Sequence, residues 1–472
     1  MASLRVRAPR IDFSALRREL ELPTEFPAEA MRQAEQAAER ATDVLAGLPD
    51  RTDIGFVTID PPDSLDLDQA VHIARQGSGY RVHYAIADVL SYVPHGSALD
   101  AESWARGQTI YFPDDRVPLH PQVLSEGAAS LLPDQVRPAV LWTIDLDGEA
   151  EQTGVTVARA AVRSRAKLDY AEVQRAVDAG TTPEPIALLP EVGRLRHAWS
   201  ERHGAINLPL PEQEITRDGD GWRLELRAPY PVEEYNAQIS LLTGMAAATI
   251  MLDGGFGLLR TLPTAEAKDL ARVRAAAQAL GVRWPDGVTV GEVVTQLDPA
   301  TPHGAAALDV ITELLRGAGY TAFDGAAPDH PEHAGVGAPY AHVTAPLRRL
   351  PDRYATEVCL ALHSGGEVPP EVREAVPKLP EVITSSDRRA GEAERATIDL
   401  TEAVLLADRV GQTFDAAVIE VNGDNRASIT LQDPPVRARC EGAGLKPGEP
   451  VRVRLVEADP TRRRVQFTVA DV

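Results

Sequence analysis

Between residues 26 and 48 the apolar positions Met31, Ala34, Ala38, Ala41, Leu45 and Leu48 recur at helical spacing, with Gly47 and Pro49 as stop signals. The first 50 residues therefore read as helix, with a shallow alanine-rich face that predicts a lead-in element. From residue 54 the period changes. Segment 54–59 is β-rich, and in 80–86 Tyr80, Val82 and Tyr84 alternate with Arg81 and His83. Helical spacing returns at 235–252, 265–280, 305–315 and 351–362. Strands and helices interleaved in this way from about 50 to 400 predict one large α+β domain. Five short strand patterns then follow at 413–421, 425–431, 436–440, 450–457 and 464–469, a count and spacing that fit a small closed barrel of the OB type.

Charge sharpens the last boundary. The 472 residues carry a net charge of −22, yet 409–472 hold ten Lys/Arg against nine Asp/Glu. The closing segment is thus basic relative to its host, and Arg462-Arg463-Arg464 offers either a nucleic-acid grip or a solvated hairpin end. So acidic a chain does not bind nucleic acid over its whole surface, which leaves a local groove. With two cysteines, Cys359 and Cys440, neither a disulfide scaffold nor a cysteine-ligated metal centre is expected. No apolar stretch approaches the roughly 20 residues of a membrane helix, and the basic start of the chain lacks an apolar core behind it, so a cytoplasmic protein without membrane contact is expected.

The chemistry concentrates in Thr58-Ile-Asp60-Pro-Pro-Asp63-Ser-Leu-Asp66-Leu-Asp68-Gln69, four aspartates behind a strand and a proline-stiffened turn. Extended geometry puts Asp66 and Asp68 on one face, and Asp60 converges with them if the turn folds back. Carboxylates within about 4 Å repel by roughly 4 kcal/mol at an effective dielectric near 20. They must protonate, splay or hold a cation, and an all-oxygen set suits Mg²⁺, with Mn²⁺ as the alternative. Aspartates that merely cap turns are the plain reading. A second segment, from His333 through Tyr340-Ala-His342-Val-Thr344-Ala-Pro346-Leu-Arg348-Arg349 to Asp352 and Arg353, brings a glycine-rich loop to paired arginines, whose donor forks match phosphate oxygens. The histidines 330, 333 and 342 lack the regular spacing of a zinc site.

Together these segments resemble the ribonuclease II family, whose catalytic domain is called RNB. Tyr111-Phe-Pro-Asp-Asp, the run Leu124 to Arg137, Ser164-Arg-Ala-Lys-Leu-Asp-Tyr170 and Ala390-Gly-Glu-Ala-Glu394-Arg are similar to further family stretches, so the resemblance covers about 50–472. It implies an RNB-type α+β catalytic domain at 51–408, after a helical N-terminal extension at 1–50 and before an OB-fold RNA-binding barrel at 409–472. It implies a 3′→5′ exoribonuclease that hydrolyses single-stranded RNA to nucleoside 5′-monophosphates with Mg²⁺. Asp60, Asp66 and Asp68 would hold the metal, and Asp68, Arg348 and Gln69 would occupy the catalytic positions. Tyr111, Tyr170, Arg349 and Glu394 would contact RNA, with Arg348 favoured over Arg349 at the scissile phosphate because helix neighbours diverge by about 100°. A monomer is expected. Gln69 departs from the family, which carries a fourth aspartate there, and a glutamine cannot ionise. The alternative is accordingly an RNA-binding RNB-like protein with weak or lost hydrolysis, with Asp63 a possible substitute acid. A more distant alternative is an unrelated phosphohydrolase of small phosphoesters. Ala345 and Leu350 also stand where the family tends to have Ser and Tyr, and 50 residues leave no room for upstream cold-shock barrels.

Overall fold

The computed structural model describes residues 6–8, 11–206, 212–219, 221–227, 229–298, 301–421, 425–431 and 436–470. Five strands form a closed barrel: β1 (Phe56–Ile59), β2 (Gln69–Gln76), β3 (Gly79–Ala87), β4 (Val136–Leu146) and β5 (Gln152–Leu168). Sequential neighbours pair antiparallel, and β5 closes on β1 in parallel, with Thr58 opposite Lys167 and Ile59 opposite Leu168. The alternation expected around residues 80–86 places Tyr80, Val82, Tyr84 and Ile86 in one core with Trp142 and Ile144. That these strands close into a barrel inside the catalytic domain was not anticipated, because the parallel β5–β1 contact joins residues more than 100 apart.

Against this barrel pack α1 (Pro231–Gly254) and α2 (Leu350–His363), with Ile239, Leu242, Ala246, Tyr354 and Val358 in the same core. Pro231 begins α1 where a missing N–H costs nothing, and Gly255, at φ +70°, ends it in the left-handed region. Gly244, mid-helix, has a different reason. A Cβ there would lie 2.1 Å from the Tyr340 ring, and the Gly244 carbonyl accepts the Ala341 N–H at 3.1 Å. The glycine lets the segment leading to the paired arginines lie directly on the helix.

A 28-residue helix, α3 (Leu379–Leu406), runs on to a second closed barrel of β6 (Thr413–Val421), β7 (Arg426–Leu431), β8 (Arg437–Glu441), β9 (Pro450–Asp459) and β10 (Arg464–Val469). All five expected strands are present, and β8 pairs with β10 in parallel to complete the closure. The N-terminal segment needs correcting. Val6–Ala8 is a strand, antiparallel to Gly221–Arg227, and the helices are Phe13–Glu19, Ala28–Glu39 and Ala41–Val44. Phe13 and Leu16 share a core with Ala393 of α3 and with Leu455 and Phe467 of the second barrel. Apolar spacing found the helices but gave no sign of this docking.

Glu402 seats the second barrel on α3. It is 3% exposed and accepts the Arg437 N–H at 2.9 Å and the Gln213 amide at 3.0 Å. Burial pushes its carboxyl up to about 7 from an ordinary 4.5. Between those values the folded chain keeps a proton that the unfolded chain has lost, so stability present below pH 4.5 declines as pH rises through 7. Chemical denaturation of Glu402→Gln, which keeps an acceptor and cannot ionise, is expected to show a stability gain over wild type that grows by about 3 kcal/mol from pH 4.5 to 8. A pH-independent difference would contradict it.

Candidate active site

The acidic segment is the link from β1 to β2. Pro61 and Pro62 stiffen its turn, and the Lys167 ammonium donates to the Pro62 and Ser64 carbonyls at 2.5 Å each. Leu67 is fully buried, donating its N–H to Ser130 Oγ at 3.0 Å and accepting from the Leu131 N–H at 3.0 Å. Asp66 and Asp68 flank the anchored Leu67, and the charge of Asp66 acts on Asp68.

Their surroundings then differ. Asp68 is 5% exposed, accepts the Leu347 N–H at 2.7 Å, and lies 3.8 Å from the Arg348 guanidinium. Burial holds its carboxyl well above the usual carboxylate range, although Arg348 and the Leu347 N–H oppose the shift. Burial also raises Asp60 to about 6, with Lys167 lowering it and Asp66 raising it. Asp66 is drawn elsewhere: the Tyr111 hydroxyl donates to one oxygen at 3.2 Å and Arg116 reaches the other at 3.4 Å. Arg116 also pairs with Glu126. Asp63 is exposed on the turn. Among the described residues no three His, Cys, Asp or Glu side chains converge closely enough to enclose an ion, which includes histidines 330, 333 and 342. The donor chemistry nevertheless fits a divalent cation. Asp68 is a buried and Asp60 a partly buried oxygen donor, each destabilised further by the charge of Asp66, and a hard cation relieves that excess.

The arginines sit on the loop before α2. Arg349 forms a two-pronged ion pair with Asp352 at 3.0 and 2.8 Å, and Asp352, fully buried, also accepts the Ala345 N–H at 2.8 Å. Arg349 is thereby committed to its own loop. Arg353 is likewise buried, against Asp100 and Tyr354. Arg348 remains 42% exposed beside Asp68, and its carbonyl accepts the Thr109 N–H at 2.9 Å. The 100° divergence of helix neighbours does not apply, because both arginines precede α2; the Asp352 ion pair is what sets Arg349 apart.

Tyr111 lies on a two-residue strand, Ile110–Tyr111, paired with Arg116–Val117; half its surface is exposed while its hydroxyl is held at Asp66. The Tyr170 hydroxyl accepts from Asn236 of α1 at 3.2 Å, close enough to Asp60 and Arg348 to feel both charges. Glu394 is exposed on α3, one residue beyond Ala393, which packs with Ile110 and Phe112. Gln69 is fully engaged: its amide nitrogen donates to the Thr344 carbonyl at 2.7 Å and its amide oxygen accepts the Tyr84 hydroxyl at 2.6 Å. Each end therefore has a fixed protein partner, with one N–H and one lone pair of the amide left over. The sequence reading assigned no role to Arg116, Lys167, Asp352 or Tyr84; the last three lie in segments it singled out, but their partners are set by the fold. The basic run of the second barrel divides as well. Arg463 pairs with Glu19 at 2.7 Å and Arg464 with Glu457 at 3.2 Å, and Arg462, Arg463, Arg464 and Arg439 together line a cleft of about 490 Å³ against α3.

Residues 49–362 match the RNB domain, and residues 412–470 match the RNase II-type exonuclease C-terminal S1 domain. The chain belongs to the RNB family. It is 25% identical to Ribonuclease R 1 of Lactococcus lactis, over 97% of this chain and 60% of that protein. The chain thus spans well under two thirds of that relative's length. Mycoplasma genitalium RNase R in complex with ribose-methylated single-stranded RNA shares the fold at a TM-score of 0.85, 20% identity, and coverage of 97% of this chain and 77% of that one. So does yeast Ssd1, described as a pseudonuclease, at 0.68, 16% identity, and coverage of 94% and 54%. No helix among the described residues is long and apolar enough to cross a membrane.

The two adjacent arginines are expected to separate in a denaturation experiment. Arg349→Ala leaves Asp352 buried without its partner and should cost about 3–5 kcal/mol of stability. Arg348→Ala should cost less than about 1 kcal/mol. Equal losses would contradict the assignment of one arginine to the fold and the other to the site.

Proposed function

We propose that this RNB-family chain is a metal-dependent 3′→5′ exoribonuclease that hydrolyses single-stranded RNA to nucleoside 5′-monophosphates. The observation that carries the reading is buried Asp68 beside a half-exposed arginine, Arg348, on a loop that Asp68 itself holds, with partly buried Asp60 close enough to feel the Arg348 charge. A ribonuclease R relative and a fold shared with an RNA-bound RNase R support it.

Asp60, Asp66 and Asp68 would hold Mg²⁺ (or Mn²⁺), which when bound supplies Lewis acidity at a phosphodiester. Arg348 directs its donors at the phosphate and stabilises the charge that grows on its oxygens. The half-exposed Tyr111 ring stacks on a terminal base of any identity, and its bond to Asp66 fixes the platform relative to the acids. Tyr170 places a neutral hydroxyl near Asp60, since burial pushes it up to about 12. That hydroxyl suits recognition of the ribose. Glu394 lies on the helix flanking Tyr111 and contacts the same nucleotide. Arg349 acts through Asp352 on the loop and not on RNA. The barrel at 412–470 grips the incoming strand.

A second reading, an RNA-binding protein with weak or lost hydrolysis, is favoured by one observation: Gln69 adds no charge to the acids. A single time course separates the two. With 5′-labelled single-stranded RNA and Mg²⁺, the nuclease gives a ladder shortening from the 3′ end and releases 5′-monophosphates, and chelation stops it. Asp68→Asn keeps an acceptor for the Leu347 N–H, so it is expected to lower the rate by more than about 10²-fold with RNA affinity nearly unchanged. Binding without shortening in the wild type would establish the second reading.

A further inference from the structure

Gln69 stands beside a cluster of acids, so the simplest view of it is a missing carboxylate. Its hydrogen bonds say otherwise. The Thr344 carbonyl can only accept, so the amide nitrogen of Gln69 must face it, at 2.7 Å. That leaves the amide oxygen toward the Tyr84 hydroxyl at 2.6 Å. Tyr84 is 1% exposed and stays neutral because burial drives its hydroxyl upward. Its single proton goes to Gln69, so Ser240 of α1, 2.8 Å away, donates to Tyr84 in turn. The direction of each of these three bonds follows from the Thr344 carbonyl, which can only accept.

The far end of the line is the arginine loop. Segment 341–347 is clamped at every third residue: the Ala341 N–H by the Gly244 carbonyl, the Thr344 carbonyl by Gln69, and the Leu347 N–H by Asp68. Arg348 follows the last clamp directly. Thr344 is 3% exposed, so without Gln69 its carbonyl has no water to turn to. We propose that Gln69 is a positioning residue, the middle clamp that sets where Arg348 stands over the acids, and that a carboxylate at this position impairs the site instead of restoring it. A glutamate would bring a charged oxygen against the Thr344 carbonyl in place of a donor. The loop or the side chain must then move, and a misplacement of about 1 Å at a reacting centre costs about 10²-fold in rate.

This inference rests on the nuclease reading, and the test keeps the two apart. The full chain is compared as wild type, Gln69→Glu, Gln69→Asp, Tyr84→Phe, Arg348→Ala and Gln69→Glu/Arg348→Ala. For trimming of single-stranded RNA, Gln69→Glu and Gln69→Asp are expected to lower kcat by about 10²-fold with KM little changed, and Tyr84→Phe to give a smaller loss of the same kind. Mn²⁺ stoichiometry, counted by electron paramagnetic resonance, should stay at the wild-type value. Affinity for a phosphorothioate-linked RNA that resists cleavage should fall in Gln69→Glu but show no further fall in the Arg348→Ala background. A carboxylate at 69 that preserves or raises kcat, adds a bound Mn²⁺, or weakens binding additively with Arg348→Ala would overturn the proposal. If the wild type trims no RNA, the nuclease reading falls and the phosphorothioate cycle still decides the role of Gln69. If Gln69→Glu does not fold, Tyr84→Phe carries the same comparison, and an unchanged kcat and affinity there would count against it.

Discussion

The site depends on carboxylates kept out of water beside a cationic loop. Asp68 is buried because Leu67 is anchored inward to the 130–131 segment, and it is held at the loop by the Leu347 N–H. Deep burial of a carboxylate is unfavourable unless a proton, a cation or several donors compensate it. Here the compensation is incomplete: burial outweighs Arg348 and the single N–H, and Asp66 adds like charge. The fold therefore maintains a local deficit of positive charge. The first barrel, α1 and the clamped loop hold the residues around it.

Much of this was legible in the chain itself. Alternation at Tyr80, Val82 and Tyr84, helical spacing around 235–252, and five short strands after 413 are local patterns, and each corresponds to an element. The aspartate spacing singled out Asp66 and Asp68, whereas helix geometry was the wrong ground for separating Arg348 from Arg349, which lie on a loop and are set apart by Asp352. Other features depend on partners far apart in sequence. Arg116 meets Asp66 across 50 residues, Gln69 meets Thr344 across 275, and β1 closes on β5 across more than 100. No periodicity reports such pairings. The strand at Val6–Ala8 belongs with them, since three residues carry too little pattern to distinguish it from the helical run behind it.

The family places the chain among nucleases and also beside a protein described as a pseudonuclease, so membership alone does not decide activity. The distinction lies in a few contacts. Arg116 and Tyr111 hold Asp66 by both oxygens, so closing three acids on an ion requires Asp66 to exchange an arginine for the metal. Gln69, by contrast, is bound on one side to a backbone carbonyl and on the other to a tyrosine hydroxyl, and carries no charge. The proposed site therefore rests on Asp60, Asp66 and Asp68, with Arg348 the more exposed of the two adjacent arginines.

That account is tested most directly by anomalous diffraction from crystals of the full chain soaked with Mn²⁺ and a short single-stranded oligonucleotide that resists cleavage. It predicts a manganese peak among Asp60, Asp66 and Asp68, with Arg116 withdrawn from Asp66 toward Glu126. An oligonucleotide seated at Arg348 with no anomalous signal among those three carboxylates would contradict it.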